Sequence, residues 1–296
     1  MKLFKIVIRI LYSTLFLLTG CTSAGLSDCK NVTLQFQYTA GSSTDVFSKY
    51  IESVMLYVYD SKTGRYIKSL KITNTELQKK QAVQILLDPG SYDVICWGNV
   101  GDNTVFNDIS LGESKAEATN FNTGKATTSD PLYFGRTTIN VDPDLSETSA
   151  LVDFVCAHID IWMYTKGITD ISSSGENISP ILSVNGLKSN YDFNMQLITD
   201  SITYYPEVAY RDDKLVTIAH CSVLRFNENT SAQIKISKGS NGELIDNIDL
   251  SKFVSDNKID LSGNGEINIS ILLEYSTLGL IIKVPNWDDV PVTPSW

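Results

Sequence analysis

The sequence predicts an all-β protein arranged as two β-sandwiches in tandem. Three observations carry that reading. Short runs alternate apolar and polar residues with period two, turn residues punctuate them at close intervals, and the 296 residues amount to about two domains of roughly 150.

Val32-Thr33-Leu34-Gln35-Phe36-Gln37-Tyr38 alternates cleanly, as a strand with one buried face does. Val54-Met55-Leu56-Tyr57-Val58-Tyr59 is β-branched and aromatic, and Asp60-Ser61-Lys62-Thr63-Gly64 closes it as a turn. Val83 to Leu87, then Asp88-Pro89-Gly90-Ser91, then Tyr92 to Trp97 read as strand, type II turn and strand, with proline presetting φ and glycine accepting a positive value. Asn103 to Asp130 is polar and predicts a long loop with short strands. Val141 to Thr148 is acidic, holds Pro143 and lacks periodicity, so a linker is expected there.

Ala150 to Tyr164 is an unusually long strand-like run. Tyr191 to Leu197, Leu215 to Leu224 and Ala232 to Ile236 alternate, and Ser240-Asn241-Gly242 is a hairpin signal. Leu250 to Asn257 predicts a single short helix, and Glu266 to Tyr275 and Leu278 to Val284 two closing strands. The expected organisation is a leader at 1–20, a tether at 21–31, a first sandwich at 32–141, a second at 150–285 and a tail at 286–296.

The N-terminus reads as an address rather than part of the fold. Lys2, Lys5 and Arg9 precede an apolar run from Ile10 to Leu18 that is too short to span a bilayer, which needs about 20 helical residues. Leu18-Thr19-Gly20-Cys21 resembles the lipobox of lipoprotein signal peptides, making Cys21 the expected lipid attachment site. Two or more acyl chains, at about 0.8 kcal/mol per buried methylene, hold a protein stably where one does not. The expected membrane contact is therefore outer-membrane lipid through this N-terminal cysteine.

Apolar residues at 43% can build a core, while a net charge of −10 argues against nucleic-acid partners or binding to an anionic membrane by charge. Removing Met1 to Gly20 would leave 276 residues and a charge of −13. Beyond Cys21, the cysteines Cys29, Cys96, Cys156 and Cys221 allow three pairings. Cys156–Cys221 is the favoured pair, Cys29–Cys96 is open in the first half, and so are four buried free thiols.

Cys156, His158, His220 and Cys221 are zinc-ligand types, but adjacent residues on a strand face opposite sides, so His220 and Cys221 cannot both join one site without a bulge. His158 and His220 are also the only conventional bases for a hydrolase, and no Gly-x-Ser-x-Gly elbow, HExxH or P-loop accompanies them. Asp260-Leu261-Ser262-Gly263-Asn264-Gly265 opens like a calcium loop, but the twelfth position is Ile271 where a bidentate glutamate is needed; a tight turn is the simpler reading. Asp212-Asp213 and Asp288-Asp289 read as solvated charges. No cofactor, metal, catalytic residue or small-molecule substrate is expected. The 4 Trp, 14 Tyr and 11 Phe could stack on sugars or pair across strands.

Several segments in order carry a family resemblance: Cys21, Asp28-Cys29, Phe36-Gln37-Tyr38-Thr39, Phe47 … Ile51 … Val54 to Asp60 with Gly64, then Leu87-Asp88-Pro89-Gly90-Ser91-Tyr92-Asp93-Val94 running into Trp97-Gly98-Asn99. This order resembles the fimbrillin-associated anchor subunits, the FimB-like lipoproteins of type V pili. It is densest over Cys21 to Val100, and beyond that the strand pattern and the Val284 … Trp287 ending are similar. The resemblance implies transthyretin-like sandwiches, outer-membrane lipidation, pilin subunits as partners, no catalysis, and a role tethering a pilus and limiting its growth. Polymerising pilins of this type are cut after an arginine near the first strand, freeing a groove for a neighbour's strand. Here the first arginine after Cys21 is Arg65, beyond the first two predicted strands. Strand addition makes the tail a candidate donor, with Val290 and Val292 on one face and Pro291 and Pro294 counting against it. A surface lipoprotein that binds glycan or a host ligand is the alternative function.

Overall fold

The computed structural model describes residues 30–107, 110–118, 124–168, 177–198, 201–211 and 216–285, and strands are their dominant regular structure. Seven strands hydrogen-bond in the order β3-β2-β5-β9-β10-β1-β4: β1 (Val32–Gln37), β2 (Val54–Asp60), β3 (Tyr66–Ile72), β4 (Ala82–Ile85), β5 (Gly90–Gly98), β9 (Tyr133–Val141) and β10 (Thr148–Cys156). The sheet doubles back at β10. Thr148 to Asp153 pair in parallel with β1, while Phe154 to Cys156 pair antiparallel with β9. The two wings enclose one cluster, to which β1 gives Val32, Leu34 and Phe36, β2 gives Val54, Leu56 and Val58, and β10 gives Val152, Phe154 and Cys156. A short helix, α1 (Phe47–Tyr50), adds Phe47, whose ring stacks on Phe36 at 5.8 Å. A second, α2 (Asn74–Lys79), starts with a capping box between Thr73 and Glu76.

The second sandwich has two five-stranded sheets, β15-β16-β11-β19-β20 and β18-β17-β12-β14-β8. The first contains β11 (His158–Lys166), β15 (Val208–Arg211), β16 (Val216–Leu224), β19 (Asn268–Ser276) and β20 (Gly279–Lys283). The other contains β8 (Lys125–Ala126), β12 (Ile181–Lys188), β14 (Ser201–Tyr204), β17 (Gln233–Ser237) and β18 (Leu244–Asp249). Ile159, Ile161 and Met163 of β11 meet Leu182, Val184, Ile234 and Ile236 in the core between them. The predicted helix is α3 (Leu250–Asp256), capped by Asp249, whose carboxylate accepts from Lys252 N at 2.9 Å.

The halves exchange strands. β8, from the first half of the sequence, pairs in parallel with β14. In return β13 (Asn190–Asp192) joins β7 (Lys115–Ala118) and β6 (Thr104–Asn107) in a three-stranded sheet. Side chains from this small sheet and the loop after it, including Tyr191 and Phe193, pack with Tyr57, Tyr59, Ile95 and Trp97 from the outer face of β2 and β5. β5 is thus covered on both faces, which is why Val94-Ile95-Cys96-Trp97 is continuously apolar rather than alternating.

Three expectations are corrected. The segment expected as a linker at 141–148 is the connection between β9 and β10 inside the first sheet run, so the first sandwich extends past 141 to Cys156. β10 is needed there because β1 and β9 would otherwise lose their shared neighbour. Cys156 and Cys221 are both free and lie in different cores, Cys156 among β1, β5 and β10 and Cys221 between the two five-stranded sheets; Cys96 is also free. β4 and β5 do not pair across Pro89-Gly90. β4 lies beside β1 instead, and Gly90 opens β5 at φ +158°, not the value near +80° of a type II turn.

The sandwiches meet at a polar knot. Tyr38 Oη and Tyr133 Oη both donate to Glu266 Oε1, at 2.7 and 2.9 Å. The two rings pack edge to face at 5.1 Å, and burial pushes both phenols up from their ordinary value. Arg225 donates to the carbonyls of Cys156 at 2.9 Å and of Leu261 and Gly265 at 3.2 Å each, and also to that of Gly263, tying the 261–265 loop to the end of β10.

Glu266→Ala should therefore leave two buried hydroxyls without an acceptor and lower stability by about 1–3 kcal/mol in urea denaturation, with Glu266→Gln costing less because it keeps an oxygen in place. The thiols of Cys96, Cys156 and Cys221 should resist maleimide in the native protein and react on unfolding without added reductant, as mass spectrometry would read. Burial pushes the thiols of Cys156 and Cys221 up to about 12 and so suppresses the thiolate.

Candidate functional site

The zinc-type residues do not converge as ligands. On the β11–β16 ladder Ile161 pairs with Cys221 and Trp162 with His220, so Cys221 turns into the core and His220 outward. Both histidines of the chain instead face Asp160. His220 Nε2 lies 3.0 Å from Asp160 Oδ1 and His158 Nε2 3.8 Å from Asp160 Oδ2. His158 Nδ1 is 3.0 Å from the Leu132 carbonyl oxygen, which anchors the ring to the segment before β9. Ser222 Oγ donates to Asp160 Oδ1 at 2.6 Å. Burial opposes charge on Asp160, but the His220 and Ser222 hydrogen bonds and the neighbouring His158 outweigh it and hold the carboxyl below the usual range. Among the described residues, no group of three or more His, Cys, Asp or Glu is placed to hold a metal.

A serine hydrolase needs its imidazole between serine and carboxylate. Here the carboxylate lies between Ser222 and His220, so the serine is not activated. The cluster acts as a clamp joining β11, β16 and the segment before β9. Trp162 stacks on His220 with ring centroids 4.1 Å apart, and Trp97 is fully buried. In the 260–265 loop, Asp260 Oδ1 accepts from Ser262 N at 2.8 Å and from Ser262 Oγ at 2.6 Å, the tight turn expected, and the loop's carbonyls face the Arg225 guanidinium.

The first described strand is enclosed by neighbours on both edges. β1 is paired on both sides, in parallel with Thr148 to Asp153 and antiparallel with Ala82 to Ile85. Val32, Leu34 and Phe36 point into the core, each at most 3% exposed. Phe36 contacts Phe47 and, edge to face at 5.9 Å, Phe154. Arg65 lies on the β2–β3 connection, with its carbonyl accepting from Asp60 N at 2.9 Å. Sequence alternation found β1; its two neighbours, distant in sequence by about fifty and more than a hundred residues, were not readable from it.

Cys21, Cys29, Val290, Val292, Asp212-Asp213 and Asp288-Asp289 lie outside the described residues. Among the described residues, no helix is long and apolar enough to cross a membrane.

The fold is shared with solved structures. The fimbrial anchor protein Mfa2 of Porphyromonas gingivalis superposes with a TM-score of 0.64 at 14% identity, covering 87% of this chain and 97% of that one. A candidate adhesin of Bacteroides ovatus gives 0.71 at 15% identity over 90% and 97% of the two chains. A candidate adhesin of Bacteroides thetaiotaomicron gives 0.64 at 20% identity over 88% and 98%. No curated protein sequence matches the chain. The sequence model of the fimbrillin-A associated anchor proteins Mfa1 and Mfa2 matches residues 26–291, nearly the whole length. The chain therefore belongs to the family of fimbrillin-A associated anchor proteins.

Proposed function

We propose that this protein is a lipid-anchored subunit that tethers a type V pilus to the outer membrane and ends its growth there. The observation that carries the reading is β1, seated between β4 and β10 with its apolar side chains in the core. In a polymerising subunit the corresponding strand would be cut away to accept a neighbour's strand. Here β1 and the segment before it carry no arginine at which to cut, so the slot stays filled and the N-terminal cysteine stays attached. A subunit of this kind cannot accept a strand at that place, which would terminate the fibre at its membrane end.

Cys21 supplies the tether. Nine residue-to-residue steps lead from it to Lys30, the first described residue. At about 3.3–3.6 Å per residue they reach at most about 32 Å, enough to hold the sandwiches just off the lipid surface. Contact with pilin subunits would use main-chain hydrogen bonds for affinity and alternate side chains for register. The tail, with Val290 and Val292, is one candidate donor, and no catalysis or cofactor enters this reading.

Cys21→Ala in the producing strain should shift the protein from the membrane pellet to the soluble fraction, abolish metabolic labelling with a palmitate analogue, and release pili into the medium. Retention of the variant in the membrane pellet would overturn the anchor.

A further inference from the structure

We infer that the face formed by β3, α2 and β4 seats on anionic lipid headgroups, laying the first sandwich side-on against the membrane that holds its N-terminus. The choice of a membrane as the occupant rests on the tethering reading above; the charge of the face does not.

Residues 61–81 hold Lys62, Arg65, Lys68, Lys71, Lys79 and Lys80 against a single acid, Glu76. These are six of the chain's 24 cations and one of its 34 acids, so a stretch with five more cations than acids sits in a chain of net charge −10. Lys68 is half-buried and the other five are exposed. The carboxylates in and beside this stretch are held by their own turns. Glu76 Oε2 accepts from Thr73 N and Oγ1, and Asp60 Oδ1 from Thr63 N and Oγ1, all at 2.8 Å. Among the described residues, none of the six cations forms a salt bridge.

The fold gathers these residues onto one face. β3 and β4 are the two edges of the seven-stranded sheet, and its doubling back brings them together. Lys68 Nζ donates across the seam to the carbonyl of Leu86, just past β4, at 2.5 Å. α2 leads from β3 to β4 with Leu77 buried in the core beneath it and Lys79 in its last turn. Leu70 and Leu86, each 39% exposed, place apolar side chains among the cations. Basic groups interleaved with exposed leucines suit a surface where headgroups meet the acyl boundary.

The tether leaves from the same place. Asn31 N donates to the Ile85 carbonyl at 3.1 Å, and the Asn31 side chain donates to the Leu87 carbonyl at 2.8 Å and accepts from Leu87 N at 3.0 Å. Lys30 therefore stands at the end of β4, beside the residue whose carbonyl takes Lys68, and the chain towards Cys21 runs out along this face. That exit favours lipid over an acidic protein segment as the occupant. The overall negative charge is no obstacle, because interactions at a charged surface fade over a Debye length, about 8 Å at physiological salt. Acids on the second sandwich do not cancel cations in contact with headgroups.

The test combines the protein purified from the producing strain with nanodiscs of phosphatidylcholine alone or with about 30 mol% phosphatidylglycerol, and reads lysine acetylation by mass spectrometry. Lys62, Lys71, Lys79 and Lys80 should label at least about fivefold more slowly on the anionic discs at about 50 mM salt and recover at about 500 mM. Lys252 and Lys258 of the second sandwich should label equally on both. The triple variant Lys71→Glu, Lys79→Glu, Lys80→Glu should unfold at the same temperature and lose the difference at Lys62. Equal labelling on the two discs, or a difference that survives the triple variant, would overturn the headgroup face. Protection of these lysines on intact cells, with none on either disc, would assign the face to an acidic protein and overturn the lipid. If Cys21 carries acyl chains and the lysines label equally, the tether stands and the face falls. If Cys21 carries none and the lysines are still protected on anionic discs, the face stands and the tether falls.

Discussion

β10 hydrogen-bonds to β1 along its first six residues and to β9 along its last three, so one strand belongs to both wings of the first sandwich. The inward side chains of β10, Val152, Phe154 and Cys156, sit where the wings close on each other. Gly135 on β9 allows this approach, because a Cβ there would lie 2.7 Å from Val152 Cγ1. β10 offers β1 one of its two paired edges, and the next strand, β11, starts two residues after β10 ends and leads directly into the second sandwich.

That short connection makes the junction between the sandwiches a packed region rather than a hinge. Cys156 N bonds the carbonyl of Asn264, Ala157 N that of Leu132, and Arg225 N that of Ala157, at 2.9 to 3.1 Å. Glu266 gathers two phenols from the first sandwich, and Arg225 holds the loop before it. The exchange of β8 and β13 between the halves adds backbone pairing on either side of this junction. Separating the halves requires breaking strand ladders as well as side-chain contacts.

The residues with catalytic chemistry are absorbed into the same architecture. Asp160 takes both histidines and Ser222, the buried thiols are held protonated, and the calcium-like loop is closed by its own aspartate and by Arg225. These groups join strands and loops of the fold to one another.

The all-β class, most strands and the helix near 250–256 were legible in the sequence, because period-two alternation and turn residues act within a few neighbouring positions. Alternation in Val32 to Tyr38 states that one face is buried. Pairing partners are a different matter. Val141 to Thr148 looks like a linker because an acidic, proline-containing connection has the same composition whether it joins two domains or two strands of one sheet. Cys156 and Cys221 look alike in apolar strands, yet one points into each core. The sequence alone determined which segments could be strands and which face of each is apolar, since those depend on local sterics and periodicity. Which strands meet and which polar groups share a carboxylate were decided only by the tertiary structure, because those contacts join residues as far as 228 positions apart and depend on the closure of the whole chain.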